Sequence, residues 1–177
     1  PSSLTALTLH INDFVEESVI RLLPRTLHTL RLSYMHSHLL GELKELNQAS
    51  LLDLPSLTHL TFQSCIAFDC STGFGALPRT ITELSLNANL QQLNDEAFKN
   101  LPPNLKSLRL FHIDAKELTL SSRFLDFLAS DRLETLVFGR YISAEELCHP
   151  KLSSLTELRP SHLKNTAHGM RFPPKLK

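Results

Sequence analysis

The sequence predicts an α/β fold, a right-handed solenoid with a parallel concave sheet and a convex side of mixed helix and loop. Three observations predict it. A short leucine pattern recurs along the chain. Proline punctuates the approach to most copies. The stretches between copies carry helical rather than strand periodicity. Repeated units that cannot bury an apolar face alone do so by stacking on their neighbours.

The copies are Leu4-x-x-Leu7-x-Leu9, Leu27-x-x-Leu30-x-Leu32, Leu57-x-x-Leu60-x-Phe62, Ile81-x-x-Leu84-x-Leu86, Leu105-x-x-Leu108-x-Leu110 and Leu133-x-x-Leu136-x-Phe138. A seventh, Leu155-x-x-Leu158-x-Pro160, keeps two anchors and places proline at the third. First anchors are separated by 23, 30, 24, 24, 28 and 22 residues, so the second and fifth units are long. The second and third anchors alternate with other residues, which is the period of a strand, and the first anchor lies at the turn leading in. One domain over residues 1–177 with about seven repeats is expected. The inward anchors Leu30, Leu60, Leu84, Leu108 and Leu136 should share one core. Pro160 lacks the amide that would pair with the sixth strand, so the ladder is expected to break, or the chain to divert, there.

Pro1, Pro24, Pro78, Pro102 and Pro173 stand three residues before a leading anchor, and Leu-Pro-Arg-Thr occurs verbatim at 23–26 and 77–80. A fixed φ and no donor suit the irregular approach to a strand. Pro55 stands two residues before Leu57, so the third unit begins differently. Return helices are expected at Phe14, Val15, Val19 and Leu22, at Leu39 to Leu54, and at Phe124, Leu125, Phe127 and Leu128, with the long units holding the best of them. Between Leu93 and Leu101 a shorter turn should place Phe98 between the return wall and the sheet. The chain begins and stops in mid-pattern, which predicts a piece of a longer array. Its uncapped ends should leave Leu4, Leu7 and Leu9 partly exposed and favour self-association.

With Leu-Pro-x-x-Leu-x-x-Leu-x-Leu units over nearly its whole length, the chain resembles the leucine-rich repeat superfamily. The phase is similar to repeats of some protist proteins and bacterial effectors. The fourth unit, with Leu84, Leu86, Asn89, Leu93, Ala97, Phe98 and Leu101, is similar to the repeat type ending in an Ala-Phe-x-x-Leu turn. The resemblance implies a ladder of Asn or Cys at the ninth position of each unit. That position holds Asn12, Met35, Cys65, Asn89, Ile113, Tyr141 and Leu163, so only part of such a ladder is present.

Composition excludes several functions. Eighteen basic and eighteen acidic residues give no formal net charge, which argues against a nucleic-acid binder. No apolar run approaches the roughly 18 residues of a membrane span. Three cysteines cannot all pair within the chain, so they read as mostly free thiols, which points inside the cell. Cys65 reads as a small buried group on the ladder, and Cys70 and Cys148-His149 have no companions at metal-ligand spacing. His36-x-His38 lacks a third ligand. Phosphate loops, nucleophile elbows and zincin helices are absent, and Glu16-Glu17 and Glu145-Glu146 read as solvated charge on return segments. No cofactor or metal is expected, and nothing suggests an enzyme.

What remains is the strand surface. Residues flanking the inward anchors form outward columns. One holds Thr8, Arg31, Thr61, Ser85, Arg109, Val137 and Arg159, the next His10, Ser33, Gln63, Asn87, Phe111, Gly139 and Ser161, and a third Ile11, Tyr34, Ser64, Ala88, His112, Arg140 and His162. Arg109, Phe111, His112, Arg140 and Arg159 should converge, with Arg31 and Tyr34 on the same face. Arginine and aromatics anchor interfaces. The expectation is a non-catalytic protein-protein interaction module that binds a protein partner on its concave face. The alternatives are the substrate-recognition region of a larger enzyme such as a ubiquitin ligase, and an ectodomain fragment of a surface receptor or adhesin.

Overall fold

A computed structural model of the chain describes residues 3–11, 20–34, 48–69, 73–91, 93–111, 120–128, 132–164 and 173–176. Each copy of the leucine pattern contributes one strand: β1 (Ala6–Ile11), β2 (Thr29–Tyr34), β3 (His59–Asp69), β4 (Glu83–Gln91), β5 (Ser107–Phe111), β6 (Thr135–Ser143) and β7 (Glu157–Lys164). They form one seven-stranded sheet, all parallel, in chain order from β1 to β7.

The anchors set the register. Leu7, Leu30, Leu60, Leu84, Leu108, Leu136 and Leu158 stand side by side across the sheet. Leu30, Leu60, Leu84, Leu108 and Leu136 are all buried, at 0 to 1% exposure, as expected of inward anchors. The first anchors Leu27, Leu57, Ile81, Leu105, Leu133 and Leu155 are equally buried and belong to the same core. Leu4 before β1, Leu7 and Leu9 on it, and Leu158 on β7 pack against that core but are only partly buried, because among the described residues an outer strand has a neighbour on one side alone.

A ladder at the start of the strands holds the copies in step. The carbonyl of Thr58 accepts from the amides of Thr82 (2.8 Å) and Glu83 (3.0 Å). The same doubled rung joins Thr5 to His28 and Thr29, His28 to Thr58 and His59, Thr82 to Lys106 and Ser107, Lys106 to Glu134 and Thr135, and Glu134 to Thr156 and Glu157. Hydroxyls reinforce it. Thr58, Thr82 and Thr156 donate to the carbonyls of His28, Thr58 and Glu134. The residue just before the first anchor does likewise, with Thr26 donating to Leu4, Thr80 to Leu57 and Ser154 to Leu133. This is why the Leu-Pro-Arg-Thr motif ends in threonine. Of the ladder expected at the ninth position, Asn12, Met35 and Ile113 lie outside the described residues, as do the side chains of Cys65, Asn89, Tyr141 and Leu163.

From Gln48 onward the return segments differ from the helices expected. Those described are 3-10 turns, at Gln48–Asp53, Gly73–Ala76, Asp95–Asn100, Ser122–Phe127 and Pro150–Leu152. Their bonds run from each amide to the carbonyl three residues back, as in Leu54 to Leu51, Leu57 to Leu54, Leu77 to Phe74, Leu101 to Phe98 and Leu128 to Leu125. A 3-10 turn eclipses side chains three apart, so Leu51, Leu54 and Leu57 all reach the core. Over one turn this spacing cannot be told from that of an α-helix. The helix expected over Phe14, Val15, Val19 and Leu22 is described only at its end, where 20–21 are helical but Leu22 is exposed rather than packed inward, and the reading through Leu39 to Leu46 lies outside the described residues. Among the described residues α-helical backbone occurs at 20–21 and in the short α1 (Ala144–Leu147).

Helix α1 corrects the reading of Glu146 as solvated charge. Glu146 is buried because it closes a capping box: its carboxylate accepts from the Ser143 amide at 2.7 Å, and the Ser143 hydroxyl accepts from the Glu146 amide at 3.2 Å. Glu145 is exposed. Glu16 and Glu17 lie outside the described residues.

Between sheet and return wall runs a row of phenylalanines. Ring centroids are 5.6 Å apart for Phe74–Phe98, 5.2 Å for Phe98–Phe124 and 5.8 Å for Phe124–Phe138, all tilted or edge-to-face. Phe98 fills the position expected of it and is fully buried.

The ladder is interrupted at Pro160, as expected, although β7 does not end there. Pro160 stands opposite Phe138, the pairing then shifts register, and it resumes at Tyr141 opposite His162. Among the described residues β7 pairs with β6 alone, and such an outer strand tolerates a residue without an amide proton.

Candidate functional site

The face of the sheet turned away from the core is built by the residues alternating with the anchors. Its central column is continuous across all seven strands: Thr8, Arg31, Thr61, Ser85, Arg109, Val137 and Arg159 stand in register. The next column runs in register from His10 through Ser33, Gln63 and Asn87 to Phe111. The third does not hold together. Ile11 pairs with Tyr34, but the register shifts after Gln63 on β3 and after Phe138 on β6, and His162 faces Tyr141 rather than Arg140. Arg140 falls within the second shift, so it is not aligned with Tyr34. His112 lies outside the described residues, as do His36, His38 and Cys70.

The arginines do converge, through a residue the sequence reading passed over. Glu157 opens β7 and receives Arg159 Nε on Oε1 at 2.7 Å, with Arg109 Nη2 3.5 Å from Oε2. The Thr135 hydroxyl donates to Oε2 at 3.2 Å, and Arg109 Nε is 3.4 Å from the Ser107 hydroxyl oxygen, to which it donates. Arg109 on β5 thus reaches past β6 to β7, a span of roughly 9.5 Å at ordinary strand spacing. Val137 stands between Arg109 and Arg159 in the central column and is 7% exposed. Arg159 stays mostly in solvent, its side chain 75% exposed, and Phe111, two residues along β5 from Arg109, is 38% exposed. Arg31 is exposed three strands away.

Glu157 belongs to a column adjacent to the second anchor: Ala6, Thr29, His59, Glu83, Ser107, Thr135 and Glu157. The same column places His59 Nε2 3.3 Å from Glu83 Oε1, with the Thr58 hydroxyl 2.8 Å from His59 Nδ1. Lys106 and Glu134 form a looser pair at 3.9 Å beside the arginine cluster.

Elsewhere the polar groups are structural. His149 caps the turn at Pro150–Leu152 by accepting from the Lys151 amide through Nδ1 at 3.3 Å, and its Nε2 lies 3.2 Å from Asp126 Oδ1. With both ring nitrogens engaged it is no base for the neighbouring exposed Cys148. Asp95 receives the Ser121 amide at 2.9 Å and the Ser121 hydroxyl at 2.5 Å, tying one return segment to the next. Among the described residues no group of three or more His, Cys, Asp and Glu could hold a metal ion, and no helix is long and apolar enough to cross a membrane. No protein family and no curated protein matches the chain in sequence.

Proposed function

We propose that the chain is a non-catalytic protein-recognition module: a right-handed solenoid of the leucine-rich-repeat type that docks a protein partner on the concave face of its sheet. The observation that carries this reading is the outward column from Thr8 to Arg159, continuous over seven strands. At one end of it Arg109 and Arg159 are gathered beside the exposed Phe111. A surface laid on regular strands is rigid, so binding orders few side chains. Arginine and aromatic side chains supply a disproportionate share of interface energy.

The test is affinity capture with the full chain beside its Arg109→Ala/Phe111→Ala variant, followed by titration of the purified captured protein. The double variant should weaken that partner at least tenfold while its melting temperature stays within about 2 °C, as expected of exposed anchors. Unchanged affinity for the captured protein would remove the proposal. Unfolding of both single variants would make the two residues structural.

A further inference from the structure

The cluster on β5–β7 shows what its two arginines are arranged to hold, because one carboxylate already sits between them. Resting on the reading above that this face is the recognition surface, we infer that the partner presents an extended acidic segment. A carboxylate of that segment engages Arg109 and Arg159, and an apolar side chain of the same segment covers Phe111.

Three observations carry this. The cluster has one positive charge in excess, two guanidiniums against Glu157. Among the described residues Arg159 Nε is occupied while its two terminal nitrogens have no partner, and Arg109 makes only long contacts, at 3.4 and 3.5 Å. N–H groups are therefore left over on both arginines, in the planar arrangement that suits a carboxylate. Arg109 and Phe111 are alternate residues of one strand, roughly 6.8 Å apart along it. The two guanidiniums meet at Glu157 rather than above Arg109, so the segment meets both features with acidic and apolar residues spread along it rather than at one fixed interval.

Glu157 has a double part. It holds the two arginines on one spot, and it repels the carboxylate they would bind. Glu157 is half-buried but both arginines are exposed, and ion pairs open to solvent on one side are weak, so a partner carboxylate can share them. Replacing Glu157 by glutamine keeps an acceptor for Arg159 Nε and removes the repulsion, so affinity for an acidic segment should rise. A role confined to stabilising the sheet would not produce that gain.

The experiment is fluorescence anisotropy of the full chain with a labelled peptide Glu-Ser-Leu-Ser-Glu-Ser-Leu, its counterpart with glutamine for glutamate, and one with phosphoserine for glutamate. The wild-type chain should bind the glutamate peptide about two- to fivefold tighter than the glutamine peptide, the range of exposed charge pairs. The preference should fade with added salt. Glu157→Gln should tighten the glutamate peptide by a further two- to fivefold or so. Arg159→Ala, a change at a solvent-facing side chain, should abolish the preference. Equal binding of both peptides, no binding of either, or weaker binding by Glu157→Gln would overturn the inference. Tighter binding of the phosphoserine peptide than of the glutamate peptide would overturn the assignment to a carboxylate. None of these results bears on whether Arg109→Ala/Phe111→Ala loses a captured partner, so the two proposals fail separately.

Discussion

Replacing Phe98 tests whether the row of phenylalanines is what joins the return wall to the sheet. Phe98 is fully buried and touches Phe74 on one side and Phe124 on the other, at 5.6 and 5.2 Å between centroids. Phe98→Ala removes a whole ring where neighbours on both sides are themselves held in the row, so the site cannot close up, and the cost should be about 3–5 kcal/mol. Phe98→Leu keeps most of the volume but loses two ring pairs, each worth about 0.5–1.5 kcal/mol, for a total of about 1–3 kcal/mol. Urea denaturation followed by circular dichroism gives both values, and the ratio between them separates volume from aromatic geometry. For a chain of this size each kcal/mol corresponds to about 2–4 °C in melting temperature. The alanine variant should therefore melt about 6–20 °C lower and the leucine variant about 2–12 °C lower. A double-mutant cycle with Phe124→Leu should show a coupling of about 0.5–1.5 kcal/mol. An alanine variant within about 1 kcal/mol of the parent, or additive behaviour of the two leucine variants, would show that the rings meet without holding the wall in place.

Two further substitutions probe the other structural supports. Leu84→Ala, at the middle of the inward row between Leu60 and Leu108, should cost about 2–5 kcal/mol in the same denaturation assay, and a neutral result would mean the row is not a shared core. Thr80→Val removes the hydroxyl donated to the Leu57 carbonyl at 2.6 Å while keeping the side-chain shape. It should cost about 0.5–1.5 kcal/mol, and no loss would leave the conserved spelling of the two Leu-Pro-Arg-Thr stretches without a structural reason.

The fold was legible because every second residue of a strand repeats the same demand. A leucine at the second anchor must meet leucines of the neighbouring copies, so aligning Leu7, Leu30, Leu60 and their successors amounts to aligning the strands. The return segments were legible only as apolar spacing. One turn of residues three and four apart satisfies an α-helix and a 3-10 turn alike, and the choice falls to how short a path must lead from Leu51 or Phe98 back to the next anchor. The interruptions of register were not legible, because the anchors keep their spacing on either side of them. Three residues of β3, 64–66, stand against Ala88 alone on β4, which is what ends the third outward column. Residues 139–140 do the same against Ser161, next to Pro160.

The site was half legible, and the missing half follows from how a column is read. Comparing equivalent positions finds neighbours in the same row of the sheet, and it put Arg109, Val137 and Arg159 together correctly. Arginine, though, is long enough to leave its row. Arg109 passes over one strand and back by two positions to reach Glu157, a contact that joins two columns and two non-adjacent strands. Anchor spacing alone puts the first anchor in the turn and begins the strand at the second, which leaves the column of Glu157 out of the face. The structure begins each strand one residue sooner, at Ala6, Thr29, His59, Glu83, Ser107, Thr135 and Glu157, so that residue already faces outward. With it the face changes character. Three arginines spread along a column would attract any anion loosely, whereas two arginines drawn onto one carboxylate define a spot with a shape, a surplus charge of one and an aromatic ring beside it.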